Sequence, residues 1–168
     1  MTLSHVDAQG GARMVDVGAK PVTTRAATAE GVVVMSAEAF ALVRDNAVKK
    51  GDVLTLAKVA GITGAKKTAE LIPLCHPLPL DAIEVEAVAD AALPGVRVTA
   101  TARATARTGV EMEALAAVAA ACLTVYDMVK AVDRRMRIEG LRVVSKSGGR
   151  HDFGSESSGD RRQSSEGA

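Results

Sequence analysis

The stretch AIEVEAVADAALPGVRVTATARATAR, residues 82–107, decides the fold. From Ala82 to Ala89 the apolar Ile83, Val85 and Ala87 alternate with Glu84, Glu86 and Val88, the two-residue period of a half-buried strand. Leu93-Pro94-Gly95 interrupts with turn residues, and alternation resumes from Val96 to Arg107, with Val98 and then Thr and Ala. Two alternating runs joined by a short turn predict an antiparallel hairpin.

On the C-terminal side the period changes. Val110 to Val132 sets Met112, Leu115, Val118, Cys122, Val125 and Val129 along one stripe of a long helix, whose many alanines allow close packing. Arg137 to Val144 returns to a strand through Ile138, Leu141, Val143 and Val144. On the N-terminal side, Gly51-Asp52 opens a helix through residue 72, with Val53, Leu56, Val59, Ala60, Ile62 and Leu71 broadly on one face and Pro73 ending it. Gly61 and Gly64 inside that helix each cost about 1 kcal/mol against Ala. Tight helix packing or the close approach of a ligand would explain them. Farther out, Ser36 N-caps a short helix from Glu38 to Asp45, Val22 to Met35 is extended, and Met14-Val15-Asp16-Val17 is a short strand candidate. The order helix, strand, strand, helix, strand predicts an α+β sandwich, an antiparallel sheet with helices packed on one face. An oligomer could cover the other face. One domain fills residues 1–146 behind a polar, mobile arm; residues 147–168 are Ser, Gly and charge, with Phe153 the one large apolar side chain, and predict a disordered tail.

The composition narrows the function classes. With 168 residues, 48% hydrophobic and 24% charged, the chain is ordinary globular material for one core. A net charge of +1 supplies no bulk field toward DNA or a membrane, so an anionic ligand must be held by a local Lys/Arg cluster. Tyr126, Phe40 and Phe153, with no Trp, are too few for a base-stacking platform. Cys75 and Cys122 lie in apolar surroundings and predict free thiols rather than a disulfide scaffold. No secretory-type apolar segment follows Met1, and the run from Ala114 to Leu123 is far shorter than the ~20 residues of a membrane span. The expectation is a soluble cytoplasmic protein that binds neither nucleic acid nor membrane.

Five constellations can carry chemistry. Prolines on both sides of Leu74-Cys75-His76-Pro77 stiffen the loop, so His76 is either an oriented acid/base or phosphate ligand, or a packed corner residue. Gly61 to Thr68 superficially suggests a phosphate loop, but Lys66 does not directly follow a glycine and the segment reads as helix; what remains is Lys66 and Lys67 as point charges or a solvated helix face. Asp127 and Lys130 stand three apart on a helix, a surface ion pair or an acid/base unit. Glu111 and Glu113 in a first turn suit the helix dipole, yet Glu113 and Asp127 are 14 residues apart, or ~21 Å along one helix. A small site using both would most simply draw them from two chains. Lys49-Lys50 at a helix start opposes the dipole, which leaves anion capture as the alternative. No protein-held metal set is expected, because His5, His76, His151, Cys75 and Cys122 lack zinc-type spacing.

Taken in order, the blocks resemble one family. Met14-Val15-Asp16-Val17, Lys50-Gly51-Asp52-Val53, Ala60-Gly61-Ile62 and Leu71-Ile72-Pro73-Leu74-Cys75-His76-Pro77-Leu78 are similar to the cyclic pyranopterin monophosphate synthase family, also called the molybdenum cofactor biosynthesis protein C family. So are Thr108-Gly109-Val110-Glu111-Met112-Glu113-Ala114-Leu115, Leu123-Thr124-Val125-Tyr126-Asp127-Met128, Lys130-Ala131-Val132 and Lys146-Ser147-Gly148-Gly149. The resemblance runs from about His5 to Gly149. It implies a ferredoxin-like subunit in a homo-hexamer, a trimer of dimers with sites at dimer interfaces. It implies a lyase acting after a radical SAM GTP 3′,8-cyclase, which turns the 3′,8-cyclised 7,8-dihydro-GTP into cyclic pyranopterin monophosphate and pyrophosphate.

The resemblance further implies a catalytic set of Asp127, Lys130, Lys50 and His76, with Leu74, Cys75, His76, Lys66, Glu111, Met112, Glu113 and Lys146 binding substrate. No cofactor is obligatory, and magnesium, if any, would arrive bound through the substrate triphosphate. The chain departs from the family's common residues at Val129 (often Cys), Gly64 (often Ala), Lys67 (often Arg) and Arg150 (often Lys). No nucleophilic thiol can therefore be needed at position 129, and phosphate contacts near Lys67 can differ. The competing readings are a non-catalytic triphosphate-binding oligomer, a Cys75-dependent hydrolase or transferase, and a basic nucleic-acid module.

Overall fold

A computed structural model describes residues 10–154. In chain order the elements are β1 (Thr23–Val34), α1 (Ala37–Arg44), α2 (Val53–Lys66), α3 (Thr68–Leu71), β2 (Ala82–Asp90), β3 (Gly95–Ala106), α4 (Glu111–Val129), β4 (Arg137–Ser147) and β5 (Phe153–Gly154). The predicted hairpin forms β2 and β3, closing at Asp90 opposite Gly95. The antiparallel sheet has the order β2-β3-β1-β4-β5, with helices packed on it as in a ferredoxin-like α+β sandwich.

Alternation explains the layering. Val96, Val98, Ala100, Ala102 and Ala104 of β3 and Ala27, Ala29 and Val33 of β1 are buried toward the helices. The opposite face carries a Thr28–Thr101 hydroxyl pair and the ion pairs Arg142–Glu30 and Arg103–Glu84. Helix α4 crosses β1, β3 and β4. A Cβ at Gly31 would stand 2.9 Å from Val118 Cγ1, so glycine lets α4 lie close to the central strand. Opposite Gly31 the register slips: Glu30 pairs Arg142 while Val32 pairs Glu139, a bulge containing Gly140 at φ +65°.

The seam between α2 and α4 is built from small residues. A Cβ at Gly64 would lie 2.6 Å from Ala120 Cβ and 2.8 Å from Ala116 O; at Gly61 it would meet Val85 Cγ1 at 2.9 Å. Helix packing therefore accounts for both glycines. The buried face of α2 is Val53, Ala57, Gly61, Gly64 and Ala65. Leu56, Val59 and Leu71, expected on the inner face, are 44%, 54% and 61% exposed, because the seam selects small side chains rather than large ones.

Other boundaries shift for local reasons. The helix expected to run to residue 72 breaks at Lys67 (φ −108°, ψ 11°), where Thr68 Oγ1 donates to Ala65 O at 2.9 Å. Residues 14–17 form no strand. Asp16 Oδ1 accepts from Gly18 N at 2.8 Å and Lys20 N donates to Val17 O at 3.0 Å, folding the segment into a turn. β4 continues through Ser147, and β5 pairs Phe153 with Lys146, so regular structure passes the expected start of the tail. Residues 155–168 of that tail and residues 1–9 of the arm lie outside the described residues. α4 has the length and apolar character of a membrane span, although the sequence reading expected none; half of it is buried within the domain.

Candidate active site

The C-terminal end of α4 holds the first cluster. Lys130 caps the helix, its N–H donating to Tyr126 O at 2.9 Å. One turn back, Asp127 Oδ1 meets Lys130 Nζ at 2.6 Å. Lys50 arrives from the loop between α1 and α2, where Asn46 (φ 52°) and Gly51 (φ +109°) take left-handed turns. Its Nζ donates to Asp127 O at 2.7 Å and Asp127 Oδ2 at 3.0 Å. Hydrogen bonds from Lys130 and then Lys50, with their charges, hold the Asp127 carboxyl below the usual carboxylate range. The three side chains are about half exposed, at 46%, 58% and 53% for Lys50, Asp127 and Lys130. Exposed ion pairs add little stability, so fold energetics does not explain this arrangement. Two ammonium groups fixed on one carboxylate, open to a ligand, can give and take protons.

The N-terminal end of α4 holds a second cluster. Leu74, Cys75, His76, Thr108, Gly109, Glu111, Met112 and Glu113 line a cavity of about 300 Å³. Glu113 is only 4% exposed, and burial, with Glu111 nearby, pushes its carboxyl up. Burial, followed by the Glu113 charge, pushes the Cys75 thiol up as well. A thiol so placed is a poor thiolate nucleophile, which weighs against the Cys75-dependent reading. His76 also lines an adjoining apolar crevice with Val17, Val22, Pro77, Leu78 and Pro79.

Glu111 borders a neighbouring cleft of about 350 Å³, where Lys20, Arg25, Arg107, Lys146 and Arg150 gather around the Gly148-Gly149 backbone. Lys146 Nζ stands 2.9 Å from Glu111 Oε1 and lies 5.7 Å from the Phe153 ring centroid. Arg25 Nε is buried without a hydrogen-bond partner among the described residues. Gly148, at φ +83°, brings its backbone against Thr24 where no Cβ would fit. Guanidinium and ammonium groups around a glycine backbone suit phosphate oxygens.

Residues 14–149 match the MoaC family over most of the chain. The chain belongs to that family. A Methylobacterium protein named cyclic pyranopterin monophosphate synthase is 60% identical over 149 residues, covering 89% of this chain and 93% of its own. Proteins of the same name from Cereibacter sphaeroides and Dinoroseobacter shibae are 59% and 57% identical, each over 148 residues, covering 88% of this chain and 93% and 94% of their own. Both clusters lie within the MoaC span, and the basic cleft does so except for Arg150.

All but one of the predicted residues fall into two groups. Lys50, Asp127 and Lys130 meet at one end of α4; Leu74, Cys75, His76, Glu111, Met112, Glu113 and Lys146 gather at the other. Glu113 and Asp127 stand 14 positions apart on one helix, or ~21 Å. Lys66, exposed in the last turn of α2, lines none of the three hollows described above. Sequence reasoning missed Lys20, Arg25 and Arg107 and treated Arg150 only as a departure from the family. One signal was available. Arg25 shares its strand face with buried Ala27 and Ala29, and a cation at an inward-facing strand position needs an anionic partner.

Proposed function

We propose that this MoaC-family chain is a lyase of molybdenum cofactor biosynthesis. It converts (8S)-3′,8-cyclo-7,8-dihydroguanosine 5′-triphosphate to cyclic pyranopterin monophosphate and releases pyrophosphate. Relatives 60% and 59% identical carry that enzyme's name. The observation that carries the chemistry is the Lys50–Asp127–Lys130 cluster.

Lys130, held by Asp127, is the general acid/base that moves protons as the purine five-membered ring opens and the pyran closes. Lys50 supplies the second ammonium of that centre. The triphosphate lies in the basic cleft along Arg25, Arg107 and Lys146, with His76 and Lys66 assisting pyrophosphate departure. Glu111 and Glu113 position the base or a water, and Leu74, Cys75 and Met112 wall the pocket. Magnesium, when present, is held through phosphate oxygens and screens their charge. The two ends of α4 are too far apart for one compact site, so the Lys130 end of one subunit faces the His76 end of another. The assembly is a homo-hexamer of three dimers. It works in the cytoplasm on the product of a radical SAM GTP 3′,8-cyclase.

The test incubates purified protein with the cyclised dihydro-GTP and follows pyrophosphate and the oxidised fluorescent pterin. Both form in step with the wild type, and Lys130→Ala slows both by about 10²–10⁴-fold. Binding without product would favour a regulatory triphosphate-binding oligomer. Near-normal turnover by Lys130→Ala would remove Lys130 from the mechanism.

A further inference from the structure

The turn that follows Lys130 has no part in the chemistry above, yet it is closely tied. Val132 N–H and Asp133 N–H both donate to Val129 O, at 2.8 and 3.2 Å. The Asp133 carboxylate then accepts two backbone N–H groups, Arg135 at 2.8 Å through Oδ1 and Ser36 at 2.7 Å through Oδ2. Tyr126 Oη adds a bond to Arg134 O at 3.3 Å. Ser36 belongs to a distant part of the chain: it N-caps α1, accepting from Ala39 N. From α1 the chain leads directly into the loop that delivers Lys50. One carboxylate thus joins the segment carrying Lys130 to the segment carrying Lys50.

We propose that Asp133 is a positioning residue for the Lys50–Asp127–Lys130 centre, clamping the turn between α4 and β4 to the start of α1 so that the two ammonium groups keep their places on Asp127. This role rests on the reading of that centre as the acid/base group of the reaction. Fold stability alone does not call for the clamp. Ser36 N–H lies at an exposed site where water would satisfy it at little cost. What the carboxylate adds is geometry: short, charge-assisted bonds to two backbone positions at once. The same two bonds, Arg135 first, keep the Asp133 carboxyl below the usual range, so it accepts from both at neutral pH.

Steady-state kinetics of full-length Asp133→Ala and Asp133→Asn on the cyclised dihydro-GTP test the role, with the folded fraction of each variant measured by thermal melting. Asp133→Ala is expected to lower kcat about tenfold. KM should stay within about twofold, because the phosphate grip lies at the other end of α4. Asn keeps one acceptor oxygen and loses the second bond, so its kcat falls between wild type and Ala. A kcat within about twofold of wild type, or a loss that vanishes once rates are referred to folded protein, overturns the role. If the Ala variant fails to fold, Asn decides alone: reduced kcat at unchanged KM supports the clamp, and wild-type kcat overturns it. An inactive wild type overturns the reading of the reaction and this role with it. An active wild type with an unaffected Asp133→Ala overturns the role alone.

Discussion

Glu113 shows how one side chain reports on its surroundings. It is buried beside Cys75 and Glu111, and burial raises its carboxyl above the usual value. A carboxyl whose pKa is higher folded than unfolded favours the fold while protonated, and that contribution is lost as pH rises through the folded value. Glu113→Gln removes the ionisation and keeps the shape. It should therefore melt higher than wild type at pH 8, with the advantage shrinking toward pH 4, while turnover falls. Thermal melts across that range check the sign; a variant less stable at pH 8 would mean that the ionised carboxylate has a favourable partner. At this scale the sequence was informative where spacing encodes a contact. Asp127 and Lys130, three apart on a helix, meet at 2.6 Å. Lys50 joins them across 77 positions and Lys146 reaches Glu111 across 35, contacts that no local spacing expresses.

Among the helices, the pair α2 and α4 is sensitive to small changes, because its seam is built on Gly61, Gly64 and the α4 alanines. In an isolated helix Gly→Ala would gain about 1 kcal/mol. At Gly64 the new methyl would fall 2.6 Å from Ala120 Cβ and 2.8 Å from Ala116 O, and neither group has a flexible end that can swing away. Gly64→Ala is expected to destabilise by about 1–3 kcal/mol as overpacking outweighs propensity. At Gly61 the contacts are wider, Val85 Cγ1 at 2.9 Å and Ala117 O at 3.1 Å, so Gly61→Ala should cost less than Gly64→Ala. Urea denaturation of both variants orders them, and a stabilised Gly64→Ala would refute the seam. Periodicity located these helices but chose the face of α2 by its large apolar residues, although burial follows the small ones. Met14-Val15-Asp16-Val17 misled in a similar way: its alternation is too short to outweigh the turn made by the Asp16 carboxylate at Gly18 N.

For the whole molecule, the strand–strand–helix–strand order and the hairpin were legible because alternation repeats over many residues. The separation of the candidate residues between the two ends of α4 was legible only as a distance. That distance yields a quantitative expectation. In the proposed mechanism, Lys130→Ala disables the Lys50–Asp127–Lys130 end, and His76→Ala disables the opposite end. If each active site takes one end from each of two subunits, a dimer containing one of each variant has one site carrying both lesions and one carrying none. Equal amounts of the two variants, unfolded together and refolded or co-expressed, pair at random, so half of the dimers are mixed. Turnover should then recover to about a quarter of wild type from two nearly inactive parents. A site contained within one subunit would give no recovery, because every chain in the mixture would still carry its own lesion. Subunit exchange is verified separately by tagging one variant and recovering the other with it, which gives the absence of recovery its meaning. The ~21 Å between Glu113 and Asp127 favours recovery, since no rotamer change in a single chain could close that gap.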